Sequence, residues 1–517
     1  MVEDESPQAA LGAARLDTFP KLLHAAAAAY GEEPAVVLHA ETIPDDAISF
    51  SGLERASAEL ARALLGRGVG KGCRIGFIYG NSPTFAVLLA AIARIGAIAI
   101  PLSTLVKADE LVRVLRQSDV HGLIVQRSLL GHDYVDRLCD ALPALANATS
   151  ANLQIPDAPY LRWIVSDGAD LPASIHPRSW LTDAAGGVSD AMLRAVEDAV
   201  HATDQLLEIY TSGSMAAPKG VKHLHGPVLF RADYIARMTK RVRGQEAAAI
   251  LPMFWVGGLG IVLLPSLISG ACTVCTEGTS TSSRHAMGSV LAADDLAMMA
   301  QATPYWALGM SETFGPYAYG DVLRADGFPL CAPLDHIAER YEVRVADTDD
   351  RPVGDGEVGE IQVRGYALTP GLHKFERADY FTADGYYRTG DLGLLDGPRI
   401  HFVGRSGDMI KTSGSNVSPA EVEQELMQID GVQAAYVVGL PDARRGERVA
   451  AAIVSRDGTV LDFNDLDSHL RGRLSRYKTP QTYIQIAPHE VPMLPSNKVA
   501  RRLIRDMIAE RTAQEAV

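Results

Sequence analysis

The chemical feature that stands out in this chain is a loop rich in hydroxyl groups and glycine that ends in a lysine. Residues 210–221 read YTSGSMAAPKGV, after a β-prone run at 206–210 and before a helix predicted over 226–242. Hydroxyls, backbone N–H groups and a lysine at a strand-to-helix turn suit a triphosphate. Taken alone, such a turn is more often an ordinary surface loop. The other motifs of the chain must decide between these interpretations.

Length and composition set the class of protein. A chain of 517 residues is too long for one core, so we expect two or more domains. With 47% hydrophobic and 21% charged residues it is globular rather than disordered. A net charge of −15 argues against nucleic acid and anionic membrane surfaces as partners. The acidic residues 1–5 and the short apolar runs predict no signal peptide and no membrane span, hence a cytoplasmic protein.

The cysteines predict reduced thiols. An odd and sparse count of 5 in a long chain does not suggest a disulfide framework. Cys272 and Cys275 have the CxxC spacing of some metal and redox sites, but residues 271–276 look like a strand. Positions three apart on a strand point to opposite faces, so we interpret the two as small core residues.

The order of predicted elements indicates a mainly parallel sheet followed by a different architecture. Helices alternate with buried strands, which is typical of βαβ units. Residues 144–156 and 183–190 are predicted loops, strands are predicted to pair beyond residue 328, and a compact α+β unit follows residue 407. The predicted elements are helices 53–66, 84–95 and 108–118, buried strands 75–79, 97–101 and 122–126, and paired strands 341–345 and 358–364.

Further motifs follow the first loop in a fixed order. They are GMSETFGP at 309–316, YRTGD at 387–391, the segment 404–423, and Lys498, with a softer match over 74–101. In this order they resemble the adenylate-forming acyl-CoA ligase superfamily, which includes acyl-CoA synthetases, peptide-synthetase adenylation domains and firefly luciferase. The resemblance implies an α/β fold class, with a large N-terminal domain of sheets and helices (1–403), a hinge (404–407) and a small mobile α+β C-terminal domain (408–517).

The resemblance also implies a reaction in two steps. A carboxylate attacks the α-phosphate of ATP to give acyl-AMP and pyrophosphate, and the thiol of CoA then attacks the acyl carbon and expels AMP. The small domain rotates between the steps, so the hinge belongs to the mechanism. A carboxylic acid or its acyl-AMP, together with CoA, are the implied partners.

Residue roles follow from the resemblance position by position. Glu312 would hold Mg²⁺ or the nucleotide, because a hard cation prefers a carboxylate, and Lys498 would neutralise charge developing at the attacked phosphate. Gly414 lacks a Cβ and would let the narrow CoA arm pass. The full assignment is Lys498, Glu312 and Lys219 for catalysis; Thr211, Ser212, Gly213, Ser214, Ser311, Glu312, Asp391 and Arg405 for the nucleotide; Glu312 for metal; Phe254, Trp255 and Gly309 for the acyl group; Trp255 and Gly414 for the CoA tunnel; and Gly407 for the hinge.

The chain departs from the superfamily mainly on the ATP side. Ser214-Met215-Ala216 stands where Thr-Thr-Gly is usual, and Leu308 stands where an aromatic normally stacks on adenine. An alanine forced to φ > 0 costs about 1 kcal/mol, and each lost hydrogen bond to a charged phosphate about 1.5–3 kcal/mol. The segment between Trp255 and Leu308 is shorter than in similar proteins, Trp255 replaces a usual histidine, and Gly407 replaces an Asp or Lys.

These departures predict an enzyme weighted towards thioester formation from acyl-AMP, with a separate adenylating enzyme as partner. This pattern resembles functionally divided ligases of platensimycin and platencin biosynthesis, which implies a bulky, hydrophobic acid. Retention of Lys219 and Lys498 keeps a complete two-step ligase open, and with it the use of ATP and Mg²⁺. A non-catalytic acyl-adenylate-binding protein and a luciferase-type oxygenase are the alternatives from other classes.

Overall fold

A computed structural model of the protein describes residues 16–40, 46–129, 131–211, 218–276, 305–323, 332–412, 415–442, 444–474, 476–493 and 499–515. These residues divide into two compact units. The first draws on residues 1–280, 309–315 and 366–379, and the second on residues 281–308, 316–365 and 380–517. The division predicted at 404–407 falls inside the second unit and stays a prediction. Within the described ranges, no helix is both long and apolar enough to cross a membrane.

An eight-stranded sheet forms the centre of the first unit. The strands from Gln205–Thr211 to the edge strand His176–Pro177 pair parallel with one another, as the alternating pattern predicts. At the other edge, Lys219–Leu224 pairs antiparallel with both of its neighbours. In spatial order the strands are Leu372–His373, Lys219–Leu224, Gln205–Thr211, Ile98–Pro101, Arg74–Ile78, Gly122–Val125, Trp163–Ser166 and His176–Pro177.

Side chains of this sheet alternate between two apolar cores. Ile75 and Phe77 lie in one core, and Ile78 of the same strand lies in the other. On the neighbouring strand, Ile124 belongs to the first core and Leu123 to the second. Each fully buried side chain of this kind stabilises the fold by about 1.5–3 kcal/mol. Helices must therefore cover both faces of the sheet.

The helices described around this sheet vary from single turns to long segments. Phe50–Gly66 begins with Ser49 as its N-cap, because the Ser49 side chain accepts a hydrogen bond from the backbone N–H of Gly52. Pro83–Arg94 begins in the same way after Ser82. The helices are Phe19–Tyr30, Phe50–Gly66, Pro83–Arg94, Ala108–Ser118, Tyr134–Ala141, Ala144–Asn147, Arg178–Thr182, Asp190–Asp198, His225–Met238, Val256–Gly258, Leu264–Ser269 and Arg377–Tyr380, with a π-helical turn at Leu259–Leu263 and a 3-10 turn at Ala185–Gly187.

Two smaller sheets complete the first unit. The four-stranded one has the order Glu246–Ala248, Cys272–Thr276, Pro34–His39 and Asp46–Ser49, and the other pairs Ser128–Leu129 with His132–Asp133. Cys272 and Cys275 are both buried with free thiols, as predicted for core residues. Burial raises the pKa of the Cys275 thiol to about 12, so that it remains protonated and unreactive at neutral pH.

The second unit contains a four-stranded antiparallel sheet that carries the YRTGD motif. Its strands are Tyr341–Ala346, Gly359–Gly365, Tyr387–Asp396 and Arg399–Arg405. The first two pair antiparallel from Tyr341 opposite Gly365 to Ala346 opposite Glu360, as predicted. Elsewhere in the described part of this unit, Gly315–Leu323 pairs with His336–Ile337, and Tyr305–Met310 precedes it along the chain.

Within the second unit, the residues beyond Asp408 form an α+β substructure around a five-stranded sheet. Alternate residues of Gly446–Ser455 face two cores, with Ala451 on one side and Ala450 on the other. Leu426 and Leu470 cover the first face, and Ile504 covers the second. The strands are Ile410–Thr412, Ser415–Val417, Val432–Asp442, Gly446–Ser455 and Thr482–Ile486, and the helices are Pro419–Met427, Phe463–Arg473 and Arg501–Glu515.

One predicted loop contains a helix. Residues 144–156 were expected to lack regular structure, but Ala144–Asn147 form a helical turn that follows Pro143. Proline is well suited to the start of a helix, and Leu145 anchors the turn in the core. The predicted loop at 183–190 likewise contains the 3-10 turn Ala185–Gly187.

Arg94 carries a charge into the core of the first unit. Its side chain is only 1% exposed, and its Nε lies 2.5 Å from Oε1 of Glu197. Its Nη1 atom donates to the Ser57 hydroxyl and the Glu54 carbonyl, each at 2.9 Å. On the other side of the pair, His24 Nε2 lies 3.0 Å from Oε2 of Glu197. Burial raises the pKa of Glu197, but the contacts with His24 and Arg94 outweigh it and hold the pKa below 4.5. The ion pair between Arg94 and Glu197 exists only while Glu197 is ionised.

We expect Glu197→Ala to lower the free energy of unfolding by about 1–3 kcal/mol, because the buried Nε of Arg94 loses its acceptor and only Glu54, 3.0 Å from Nη2, remains as a carboxylate partner. Because the folded pKa of Glu197 is depressed, its contribution is present above pH 4.5 and lost as the pH falls further. Urea unfolding at pH 7 and at lower pH measures both effects. Arg55→Ala is the control, since Arg55 and its partner Glu32 are 67% and 71% exposed. Equal stability of the two variants at pH 7 would contradict the prediction.

Candidate functional site

Lys219 lies in a β-hairpin, which corrects the predicted strand-to-helix turn. The strand Gln205–Thr211 pairs antiparallel with Lys219–Leu224, from Thr211 opposite Lys219 to Gln205 opposite Leu224. Residues 219–224 alternate between more and less buried positions, which suits a strand, and the helix His225–Met238 begins only afterwards. Lys219 therefore stands at the start of a strand. Ser212, Gly213 and Ser214 lie outside the described residues.

A buried polar cluster around Glu208 ties the first strand of this hairpin to Arg74 on the strand Arg74–Ile78. The carboxylate of Glu208 is fully buried and accepts hydrogen bonds from Arg74 Nη2 and the Tyr210 hydroxyl, both at 2.6 Å, and from Gln205 Nε2 at 3.0 Å. Burial and the Glu208 charge raise the pKa of Tyr210, so that its hydroxyl stays a donor. A Cβ at Gly220 would come within 2.4 Å of Glu208 Oε1. The glycine after Lys219 is required by this close approach.

Glu312 lies in a tight turn that its neighbours define. The turn Ser311–Thr313 follows the strand Tyr305–Met310, and Phe314 has a φ of +47°. The Thr313 hydroxyl donates to the Gly315 carbonyl at 2.7 Å, and the Glu312 carbonyl accepts from the backbone N–H of Thr369 at 2.7 Å. Glu312 is 7% exposed. The turn thus places a carboxylate in a mostly buried position, as a site for a cation or polar ligand requires.

The sequence analysis missed Thr369, which joins this turn to the strand of Lys219. The Thr369 hydroxyl donates to the carbonyls of Lys222 and Gly371, both at 2.9 Å, while its backbone N–H binds Glu312. The structure therefore brings the Glu312 turn and the strand Lys219–Leu224 together. A lone threonine before Pro370 and Gly371 reads as an ordinary turn, so the sequence carried no usable signal.

His223 is a second residue that the sequence analysis missed. Its ring is buried and packs edge-on against Phe314, with centroids 4.8 Å apart. Burial lowers the pKa of His223 to about 3, although a hydrogen bond with the backbone of Ser311 raises it. The ring is therefore neutral at physiological pH and supports the turn as a polar but uncharged group.

Asp391 and Arg405 form an ion pair in the second unit. They lie opposite each other on the strands Tyr387–Asp396 and Arg399–Arg405, with Arg405 Nε 3.0 Å from Asp391 Oδ1. Asp391 is 8% exposed, whereas the Arg405 side chain is 57% exposed. The Thr389 hydroxyl binds the Asp391 N–H at 3.0 Å and fixes the turn at Gly390. The structure brings together these two predicted nucleotide-binding residues and orients the carboxylate.

Phe254 and Trp255 form an aromatic corner before the turn Val256–Gly258. Their rings meet edge-on with centroids 5.3 Å apart. Phe254 is 3% exposed and belongs to the apolar core, and the half-buried Trp255 packs against that core. A Cβ at Gly260, just beyond the corner, would lie 3.0 Å from Phe314. The predicted acyl-binding pair therefore lies in the same packed region as the Glu312 turn.

The remaining predicted residues have varied positions. Gly309 is exposed at the end of the strand Tyr305–Met310. Gly407 is exposed in the turn Ser406–Asp408, and a Cβ there would have nothing within 4 Å. Backbone sterics in this conformation therefore do not require glycine at position 407. Lys498 and Gly414 lie outside the described residues.

Two family profiles match the chain. The AMP-binding enzyme profile matches residues 23–310, and the profile of the AMP-binding enzyme C-terminal domain matches residues 421–498. The first spans the hairpin of Lys219 and the aromatic corner and reaches the strand before Glu312. The second covers most of the five-stranded sheet and two of its helices.

Individual relatives agree with these profiles. Feruloyl-CoA synthase from Amycolatopsis sp. is 28% identical over 477 residues, which cover 84% of this chain and 89% of that protein. Indoleacetate–CoA ligase from Aromatoleum aromaticum is 27% identical over 523 residues, which cover 91% and 95%. The structure of the anthranilate CoA ligase AuaEII in complex with anthranoyl-AMP superposes with a TM-score of 0.76 at 20% identity, covering 96% and 98%. The fold is therefore the mixed α/β adenylate-forming fold, with a large N-terminal and a smaller C-terminal domain.

We expect Asp391→Asn to weaken the affinity for AMP by about ten- to a hundredfold, because a buried carboxylate accepts the hydrogen bonds of a ribose diol more strongly than an amide does. Isothermal titration with AMP measures the change. Asp396→Asn is the matched control, since Asp396 ends the same strand with a side chain that is 73% exposed. Unchanged affinity in Asp391→Asn would remove Asp391 from the nucleotide site.

Proposed function

This chain belongs to the AMP-binding enzyme family and is an acyl-CoA ligase of the adenylate-forming superfamily; we propose that it serves chiefly the thioester-forming half of that reaction. In this proposal the enzyme accepts an acyl-AMP, the CoA thiol attacks its acyl carbon, and AMP leaves with the bonding electrons. ATP-dependent adenylation is impaired or lost. A separate adenylating enzyme then supplies the acyl-AMP, as in the divided ligases that the sequence resembles.

A contrast between two sets of residues proposed to bind the nucleotide supports this proposal. Asp391, proposed to bind the AMP ribose, is buried and paired with Arg405. The segment proposed to hold the outer phosphates has Met215 and Ala216 in its sequence where the superfamily has a hydroxyl-bearing residue and a glycine. Loss of one hydrogen bond to a charged oxygen, at about 1.5–3 kcal/mol, together with about 1 kcal/mol of strain at an alanine forced to φ > 0, would slow adenylation by roughly two to three orders of magnitude. Thioester formation does not use that bond.

Leu308 is a further departure from the superfamily that would weaken ATP binding. It lies half-buried in the strand Tyr305–Met310, where the superfamily places the aromatic that stacks on adenine. Stacking of a base on an aromatic side chain contributes about 1–3 kcal/mol, which leucine cannot replace in full. An acyl-AMP gains additional binding energy from its acyl group and tolerates this loss better than ATP does.

The chemical class of the acid follows from the aromatic corner. Phe254 is in the core, and Trp255 presents a half-buried ring beside it, so the surface offered to a substrate there is broad and apolar. Three relatives are named for aromatic acids, namely ferulate, indoleacetate and anthranilate, whereas others are named for sulfoacetate and medium-chain acids. We therefore propose an aromatic or otherwise bulky, hydrophobic carboxylic acid as the acyl donor.

A complete two-step ligase is the second candidate, and two observations favour it. Lys219 is retained at the start of its strand beside the loop, and Glu312 is kept in a mostly buried turn where a cation between phosphates could be held. Both groups serve adenylation in the superfamily. In this case the altered loop slows the first step without abolishing it, and ATP and Mg²⁺ remain substrates.

One assay separates these candidates. The protein is incubated with CoA and either feruloyl-AMP or ferulate with ATP and Mg²⁺, and thioester and pyrophosphate are quantified. We expect feruloyl-CoA from feruloyl-AMP at least about a hundredfold faster than from ferulate and ATP. Comparable rates from both would support the two-step ligase. Tight binding of feruloyl-AMP without any thioester would instead indicate a non-catalytic binding protein.

A loop replacement tests the cause of the impairment. Changing Ser214, Met215 and Ala216 together to Thr-Thr-Gly should raise ATP–pyrophosphate exchange by about tenfold or more, because it restores a hydroxyl and a flexible glycine for the outer phosphates. The rate of thioester formation from feruloyl-AMP should not change, and it serves as the internal control. If exchange does not rise, the loop is not the main defect, and Leu308 becomes the next position to restore to an aromatic.

A further inference from the structure

Asn81 connects the central sheet to the aromatic corner. It lies between the strand Arg74–Ile78 and the helix Pro83–Arg94. Its Nδ2 atom donates to the carbonyls of Ala249 at 3.1 Å and Leu251 at 3.0 Å, and its Oδ1 atom accepts from the N–H of Met253 at 2.7 Å. One side chain therefore satisfies three backbone groups in the five residues that lead to Phe254 and Trp255.

These bonds use the full capacity of an amide in one orientation. Two carbonyl oxygens require the donors of Nδ2, and one N–H requires the acceptor Oδ1, so the amide cannot be reversed without losing all three bonds. Aspartate has the same shape but no donor. Serine is too short and has only one donor. Asparagine is thus the side chain that this position requires.

Asn81 is itself held in place from the opposite side. The Ser82 hydroxyl caps the following helix by accepting from Phe85 N at 3.2 Å, and it donates to the Gly80 carbonyl at 3.1 Å. The Gly80 N–H donates to Gln126 Oε1 at 3.1 Å. The residues before and after Asn81 are therefore tied to the central sheet and to a helix end, and the amide projects from a rigid base.

The segment that Asn81 binds is also held at its far end. The Trp255 N–H donates to the Pro252 carbonyl at 3.1 Å, and the Leu259 N–H donates to the Trp255 carbonyl at 3.0 Å. A Cβ at Gly258 would come within 2.3 Å of the Pro252 carbonyl oxygen, so the next turn packs directly on this segment. Displacement of the backbone at Trp255 would disturb these contacts and those of Asn81 together.

We propose that Asn81 is a positioning residue that fixes the Phe254–Trp255 corner and thereby sets the preference of the enzyme for the acyl group. This inference rests on the proposed function, in which that corner binds the acyl donor. Asn81 touches neither reacting group in this proposal. It acts by holding the backbone of 249–253, and a displacement of about 1 Å at such a site can cost on the order of a hundredfold in rate.

The first part of the test asks whether Asn81 fixes the corner. The full-length protein is labelled with 5-fluorotryptophan, and the Trp255 resonance, one of 4 tryptophan signals, is assigned with Trp255→Phe. We expect Asn81→Ala and Asn81→Asp to shift or broaden the Trp255 signal and to leave that of Trp163 unchanged. An unaltered Trp255 signal in both folded variants would overturn the inference. Because Asn81→Asp keeps the shape and one acceptor, it provides a second variant should Asn81→Ala fail to fold.

The second part asks whether the corner sets acyl preference. Thioester formation is measured from feruloyl-AMP and from acetyl-AMP, whose acyl group is too small to reach a distant aromatic surface. We expect the KM for feruloyl-AMP to rise about tenfold or more in the Asn81 variants, with little change for acetyl-AMP or CoA. Tyr134→Phe is the matched control, since it removes one buried side-chain bond, to the Thr104 carbonyl at 2.7 Å, in the other core.

The two parts fail in distinguishable ways. A displaced Trp255 signal with unchanged KM values would mean that Asn81 fixes the corner but that the corner does not select the acyl group, and the proposed acyl role falls. An equal loss with feruloyl-AMP and acetyl-AMP would mean general destabilisation and would also overturn the inference. Absence of any thioester in the unaltered protein would refute the proposed function itself.

Discussion

Burial of the central sheet on both faces is the constraint on which the rest of the molecule depends. The strands Arg74–Ile78, Gly122–Val125 and Ile98–Pro101 place successive side chains in two different cores, so none of them can shift in register without exposing apolar groups on both sides. Segments proposed to bind or position the substrate follow the carboxyl ends of parallel strands of this sheet. Asn81 follows the strand Arg74–Ile78, and the segment proposed to hold phosphates follows the strand Gln205–Thr211 along the chain. Open α/β sheets typically bind ligands at this edge.

Buried charge is compatible with this packing because each buried ion has specific partners. Glu208 is satisfied by Arg74, Tyr210 and Gln205, and these hydrogen bonds, which join the strand Gln205–Thr211 to Arg74, offset the cost of burying its charge. Arg94 has the same kind of arrangement with Glu197 on a different helix. Such pairs tolerate the loss of one member poorly. They therefore specify the geometry of the elements that carry them more than they add to net stability.

Local patterns predicted the elements around the sheet well, and they failed where tertiary contacts decide. Periodicity located the helices Phe50–Gly66 and Ala108–Ser118 and the strand Gly122–Val125 to within a few residues. It did not show that Lys219 begins a strand, because KGVKHL is short and does not strictly alternate apolar and polar residues. The partner strand and the close approach at Gly220 settle that conformation. Thr369, His223 and Asn81 were missed for a related reason, since a single polar residue in a turn or a short strand has no periodicity to reveal its partners.

The amino-acid sequence by itself determined the superfamily, the order of the motifs and the places where this chain departs from its relatives, because these are properties of residue identity and spacing. Only the tertiary structure decided which of those residues meet. The pairing of Asp391 with Arg405 depends on strand register. The joining of the Glu312 turn to the Lys219 strand depends on Thr369, which is more than fifty residues away from Glu312 in the chain. Contacts between residues so distant in sequence arise from packing, in which small side chains and single hydrogen bonds fix distances that no local pattern encodes.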